Sequence, residues 1–186
     1  MKINAGEIRV GMLLEYKNDL WLVLKTQHVK PGKGGAFAQV EMKSVGKNTK
    51  LNERFRSSET VEKASLEETD FNYLYDDENN YIFMDPKTFE QIEIKKDLIG
   101  EKGKLMTENL KVSVSFHNEN PISVELPNQV TCKIETTDVA LKGQTVSSSY
   151  KPATLNNGLN IQVPPFINSG DEVIVDTRTL EYIKKI

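Results

Sequence analysis

An all-β chain of three small barrels is the fold class that this sequence predicts, and three observations carry it. Short runs rich in Val, Ile, Leu, Tyr and Phe recur along the 186 residues, bounded at close spacing by Gly, Pro, Asn and Asp. In Ala36-Phe37-Ala38-Gln39-Val40-Glu41-Met42 the pattern alternates, with Ala38, Val40 and Met42 on one face and Phe37, Gln39 and Glu41 on the other. A charged stretch at 65–70 and Pro127-Asn128 then punctuate the chain into units 1–64, 65–128 and 129–186. The first has the size of an SH3-like barrel, and the other two fit five-stranded OB-type barrels.

In the first unit, residues 6–11 read as an entry turn. Leu20-Trp21-Leu22-Val23-Leu24 reads as a strand buried on both faces that continues to Val29. The alternating run 36–42 returns from it, and a strand at 50–56 leads out. In the second unit, strands are expected at 71–75 and 81–84 around the turn 76–80. Asp85-Pro86-Lys87-Thr88 reads as an N-cap with proline at the first helical position, predicting one short helical turn. Strands at 111–116 and 122–126 close that unit. The third begins at Val130, with a loop at 143–150 and strands at 151–155 and 159–163 joined through Asn157-Gly158. Strands near 172–175 and 180–184 finish it.

Lys30-Pro31-Gly32-Lys33-Gly34-Gly35 lies between the two long strands of the first unit and places one lysine among glycines. Pro31 has a fixed φ and no amide to donate, while Gly32, Gly34 and Gly35 permit positive φ and close approach to another surface. Arms of seven or eight residues carry Lys33 roughly 25 Å from the hairpin base. Two readings follow from these residues: a lysine presented as a probe, or a solvated turn. A phosphate-binding loop is a weaker rival to both, because GxxxxGK[ST] is absent and a strand pattern follows where a helix would have to start.

Charge is polarised. Residues 1–64 hold twelve Lys and Arg against seven Asp and Glu; residues 65–128 hold six against fourteen; residues 129–186 hold six of each. The first unit suits RNA phosphates, and the acidic second does not. Its aromatics Phe71, Tyr73, Tyr75, Tyr81 and Phe83 are read as packing rather than a base-stacking platform, for want of interleaved Lys or Arg. Asp76, Asp77 and Glu78 read as a solvated turn, without the spacing of a metal loop or an acid–base pair. His28 and His117 have no Cys or His partner at ligand spacing, so no metal and no catalytic residue is expected. The single Cys132 cannot form an intrachain disulfide and reads as a core residue. No apolar stretch reaches bilayer length and the first five residues open no signal peptide, so a cytoplasmic protein with no membrane association is expected.

Several motifs occur in order: KPGKGGAFAQVEMK from Lys30, LNERFRSSE from Leu51, YLY from Tyr73, FMDPKTFEQ from Phe83, KPATLNNG from Lys151 and VDTRTLEY from Val175. On them the chain resembles the bacterial elongation factor P family over its whole length. The resemblance implies an SH3-like (KOW-type) barrel followed by two OB barrels in an L-shaped, tRNA-like arrangement. It implies a monomer that is not an enzyme and needs no cofactor. Such a factor binds both ribosomal subunits and peptidyl-tRNA between the peptidyl and exit sites and relieves stalling at consecutive prolines. Lys33 would be the tip residue that many members extend covalently, by a β-lysyl or another group, through a lysine-modifying enzyme. Lys30, Lys43, Arg54 and Arg56 are either RNA contacts or merely solvated. Gly143 and Thr145 match a family loop near the small subunit, although Gln144 stands where members commonly carry Asp and residues 147–149 are serines where they carry glycines. Tyr182 and Lys185 match the C-terminal contact, with Lys185 in place of arginine. Leu180 replaces a turn glycine, predicting a wider final hairpin. The alternative is a generic RNA-binding or transcription-linked barrel protein.

Overall fold

The computed structural model describes residues 1–139 and 149–186, and strands dominate it. Sixteen strands among the described residues form three sheets. The first sheet holds β1 (Lys2–Asn4), β2 (Leu13–Tyr16), β3 (Asp19–Val29), β4 (Phe37–Ser44), β5 (Lys50–Arg56) and β6 (Thr60–Ala64), ordered β1-β6-β2-β3-β4-β5. The second holds β7 (Glu67–Asp76), β8 (Asn80–Met84), β9 (Gln91–Lys95), β10 (Lys111–His117) and β11 (Asn120–Glu125), ordered β11-β10-β7-β8-β9. The third holds β12 (Gln129–Thr137), β13 (Lys151–Leu155), β14 (Asn160–Val163), β15 (Glu172–Asp176) and β16 (Glu181–Lys185), ordered β14-β13-β12-β15-β16. The chain divides into two compact units, one of Met1–Glu68 with Ser115–Ile122 and one of Thr69–Val114 with Ser123–Ile186.

In the first unit the alternation read from sequence holds: Ala38, Val40 and Met42 are fully buried, and they join Trp21, Val23, Leu14, Ile8 and Phe55 in one core. The β3 run is covered on both faces. Trp21 and Val23 face this core, while Leu20 and Leu22 lie against a smaller cluster of Leu13, Ala64 and Ile122. Strands β1, β2 and β6, of three to five residues, add to those expected from sequence. β2 joins β3 through Lys17 and Asn18, both at positive φ (51° and 59°), the two-residue turn whose twist matches a hairpin.

The expected helical turn at 85–88 forms and goes no further. The Asp85 carboxylate accepts the amides of Lys87 and Thr88, as an N-cap does, and the Phe89 amide donates to Asp85 O at 2.9 Å. Phe89 then takes φ 61°, and the chain turns back from β8 into β9. Longer helical segments come later, as α1 (Lys96–Ile99) and a 3₁₀ stretch over Gly100–Leu105. The charged stretch at 65–70 is not a plain linker either, since β7 starts at Glu67. Tyr73, Tyr81 and Phe83 are buried and meet edge to face at 5.9–6.0 Å, as packing rather than a platform, and Tyr75 is exposed. In the third sheet Val130, Cys132, Ile134, Leu155, Val163, Val173 and Val175 form a core that also receives Leu105 from the 3₁₀ stretch. Leu180 itself adopts φ 59°, the left-handed conformation a turn glycine takes, and its amide donates to Asp176 O at 2.8 Å in the turn between the paired Asp176 and Glu181.

Candidate nucleic-acid interface

The glycine-flanked lysine stands at the end of a supported hairpin. β3 and β4 pair from Trp21↔Ser44 out to Val29↔Phe37, with an irregularity between Val23 and Lys25, and β5 backs β4 from Lys43↔Lys50 to Phe37↔Arg56. Beyond the last pair, Lys30, Pro31, Gly32, Lys33, Gly34 and Gly35 are all exposed. Gly34 alone needs a glycine backbone, at φ 118°. A β-carbon at Gly32 or Gly35 would meet nothing within 4 Å, so their small size answers no crowding inside this chain.

The outer face of β4 and β5 carries the rest of the site. Register places Gln39 opposite Arg54 and Phe37 opposite Arg56, so Phe37 and Arg54 are diagonal neighbours. The Arg54 guanidinium carbon lies 3.5 Å from the Phe37 ring centroid. A shallow groove between this face and the tip is lined by Pro31, Lys33, Phe37, Arg54, Arg56 and Ser57. Lys43 is half-buried near the hairpin base, opposite Leu22 and Lys50, and does not join this group.

Charge neutralisation separates the two ends of the hairpin. Toward its base Lys17 pairs with Glu53 at 3.0 Å, Lys47 with Asp19 at 3.4 Å and Lys50 with Glu41 at 3.4 Å. Bonding to Lys17 holds the Glu53 carboxyl below its usual range, and the Ser44 hydroxyl does the same for Asp19. Among the described residues no ion pair involves Lys30, Lys33, Arg54 or Arg56. Three uncompensated cations lining one groove, Lys33, Arg54 and Arg56, with Lys30 in the same tip loop, form an attractive site for phosphates.

Elsewhere the expected contacts are occupied by the fold. Tyr182 is half-buried against the third-sheet core, and Lys185 pairs with Asp171 at 2.8 Å, holding that carboxyl low. Gly143 and Thr145, with Gln144, lie outside the described residues. Asp76 accepts the Tyr73 hydroxyl at 3.0 Å and the Lys96 ammonium at 2.6 Å, while Asp77 accepts the amides of Asn79 and Asn80; both carboxylates brace a turn. Burial pushes the Cys132 thiol up. No cluster of three or more His, Cys, Asp or Glu placed to hold a metal occurs among the described residues, and none of their helices is long and apolar enough to cross a membrane. The Phe37–Arg54 stack is the feature of this site that sequence reading missed. Only the β4–β5 register brings those two side chains together.

Three family models match in order: "Elongation factor P (EF-P) KOW-like domain" over residues 4–61, "Elongation factor P (EF-P) OB domain" over 66–124 and "Elongation factor P, C-terminal" over 130–185. The chain is 81% identical over 186 residues to the elongation factor P of Pelagibacter ubique, covering all of both chains. It is 50% identical over 186 residues to that of Bartonella bacilliformis, covering all of this chain and 98% of the relative. The solved eukaryotic translation initiation factor 5A from Methanococcus jannaschii aligns with 67% of this chain and 95% of its own, at 20% identity and a TM-score of 0.45.

Proposed function

This chain belongs to the elongation factor P family and is a translation elongation factor, and on that premise we propose that the Lys33 tip is its working end at the ribosome. Lys33 is the group offered to the acceptor end of peptidyl-tRNA, between the peptidyl and exit sites, when consecutive prolines stall synthesis. The observation carrying this reading is the exposed, glycine-flanked Lys33 beside three further cations that have no ion-pair partner among the described residues.

The physical rationale is positioning. Proline's ring restrains the backbone and hinders its nitrogen as a nucleophile, so a run of prolines holds the reacting groups in poor geometry. A factor that orders the acceptor end restores a near-attack arrangement and need contribute no acid, base or nucleophile. Misplacement by about 1 Å costs on the order of 100-fold in rate, which is the scale available to such a factor. A covalent amine-bearing extension of Lys33, such as a β-lysyl group, lengthens the cation's reach, and the glycine neighbours leave room for the modifying enzyme. The remaining partners on this reading are both ribosomal subunits, and the site of action is the cytoplasm.

The test is reconstituted translation of a message encoding three consecutive prolines, with no factor, with protein from its native host and with Lys33→Ala. Relief by the native protein and loss of relief in Lys33→Ala is the expected result. Equal relief by both removes Lys33 as the working group. Relief by neither, with both folded, returns the chain to a generic RNA-binding role, which tight salt-sensitive binding to free RNA would reveal.

A further inference from the structure

We propose that Phe37 is a positioning residue for this factor: its ring holds the Arg54 guanidinium flat beside the tip groove, so that the guanidinium edge is presented to an RNA phosphate. The proposal rests on the function read above and adds to it a residue that touches no RNA itself.

The geometry is specific to this pair. Arg54 sits 3.5 Å above the Phe37 centroid, well inside the range over which a cation is drawn to a ring face. Two other cation–ring contacts occur among the described residues, Lys17 over Tyr16 at 4.9 Å and Lys96 over Tyr81 at 5.3 Å. In both, the lysine is also anchored by a carboxylate, Glu53 at 3.0 Å and Asp76 at 2.6 Å. Arg54 has no carboxylate partner and no side-chain hydrogen bond among the described residues, which leaves the ring as the contact that orients it. A stacked guanidinium has one face covered and its N–H edge free, the arrangement that matches two phosphate oxygens. Register brings the pair to the tip: Phe37 is the last β4 residue paired with β3, and Phe37, Arg54, Arg56 and Lys33 all line the same groove.

Arg54 covering Phe37 from water is the plainer account, since long charged side chains commonly lie along apolar surface. The two accounts separate in which residue depends on the other. If Arg54 serves Phe37, removing the ring costs the factor nothing at the ribosome. If Phe37 serves Arg54, removing the ring weakens binding through Arg54 alone.

The experiment measures the factor concentration giving half-maximal relief in three-proline translation, together with its plateau and the thermal midpoint of each variant. Phe37→Leu keeps an apolar side chain and deletes the ring face, whereas Phe37→Tyr keeps both. The expected results are a roughly 3- to 10-fold higher half-maximal concentration for Phe37→Leu at unchanged plateau and thermal midpoint, wild-type behaviour for Phe37→Tyr, and no further loss when Phe37→Leu is added to Arg54→Ala. In the free protein, the Arg54 Nε–H resonance should lose its ring-current shift in Phe37→Leu and keep it in Phe37→Tyr. An unchanged half-maximal concentration in Phe37→Leu overturns the proposal while leaving the factor reading intact. So does an equal loss in the wild-type and Arg54→Ala backgrounds, which would mean that Phe37 acts independently of Arg54. Failure of the wild-type protein itself to relieve the stall removes the factor reading, and this proposal with it.

Discussion

Tyr81 and Gly103 touch with no room for a methyl group between them: a β-carbon on Gly103 would lie 2.2 Å from the Tyr81 hydroxyl oxygen and 2.5 Å from its Cζ. The ring cannot simply swing away, because it is buried and packed edge-on against Tyr73. Gly103→Ala is therefore expected to destabilise the protein by about 1–3 kcal/mol, the usual cost of overpacking a filled interior. Urea unfolding measures it, and a midpoint equal to the wild type would show that the contact is soft.

The same two tyrosines set the alkaline limit. Burial first, and then the Asp76 carboxylate, push the Tyr73 hydroxyl above the usual phenol range, and burial raises Tyr81. The native state thus keeps protons that the unfolded chain sheds near pH 10. Their contribution is complete below about pH 10 and disappears as pH rises through the native values. Lys96, raised by its bond to Asp76, loses its charge in the same direction. Thermal midpoints are expected to fall as pH rises above about 10, less steeply in Tyr73→Phe; equal slopes would refute the assignment.

Acid stability has a different source. Asp176 accepts the Nε–H and Nη2–H of Arg178 at 3.1 and 2.7 Å and the Arg178 amide at 2.8 Å, and these bonds hold its carboxyl well below the ordinary range. A depressed native pKa gives stability that is present above about pH 4 and lost as pH falls through the lower native value. In Asp176→Asn the midpoint should be lower at neutral pH and should change less on acidification. Scanning calorimetry across the acid range tests both.

Phe89 stands at φ 61° and is 71% exposed, so it bears backbone strain with little burial in return. Left-handed backbone costs an ordinary residue on the order of 1–2 kcal/mol, part of which glycine recovers against its greater unfolded-state entropy. Phe89→Gly should leave stability unchanged or raise it by up to about 1 kcal/mol. A loss larger than that would show that the exposed ring packs against something that matters to the fold.

Much of this protein is legible from residue order. The inward Ala38, Val40 and Met42 and the glycines around Lys33 follow from local rules, because alternation and turn chemistry act over two to six residues. The strands that went unread, β1, β2, β6 and β9, have three to five residues each, no shorter than β14, which the adjoining Asn157-Gly158 turn made legible. Their partners supply what propensity does not: Lys2–Asn4 becomes a strand by pairing with Thr60–Glu62. The turn at 85–88 shows the reverse, a cap and one helical turn written entirely in neighbouring residues, which stops there because nothing further packs to extend it.

Sequence alone determined the all-β class, the family and the single lysine at the tip, since each is written in neighbouring residues or in motif order. Tertiary structure decided which cations remain available. Lys17, Lys47, Lys50 and Lys185 are matched to carboxylates distant in sequence, whereas Lys33, Arg54 and Arg56 are brought to one groove by strand register. The reason is that an ion pair, or a ring beneath a guanidinium, depends on distances of a few ångströms between separate strands. A chain read residue by residue does not contain those distances until its sheets have closed.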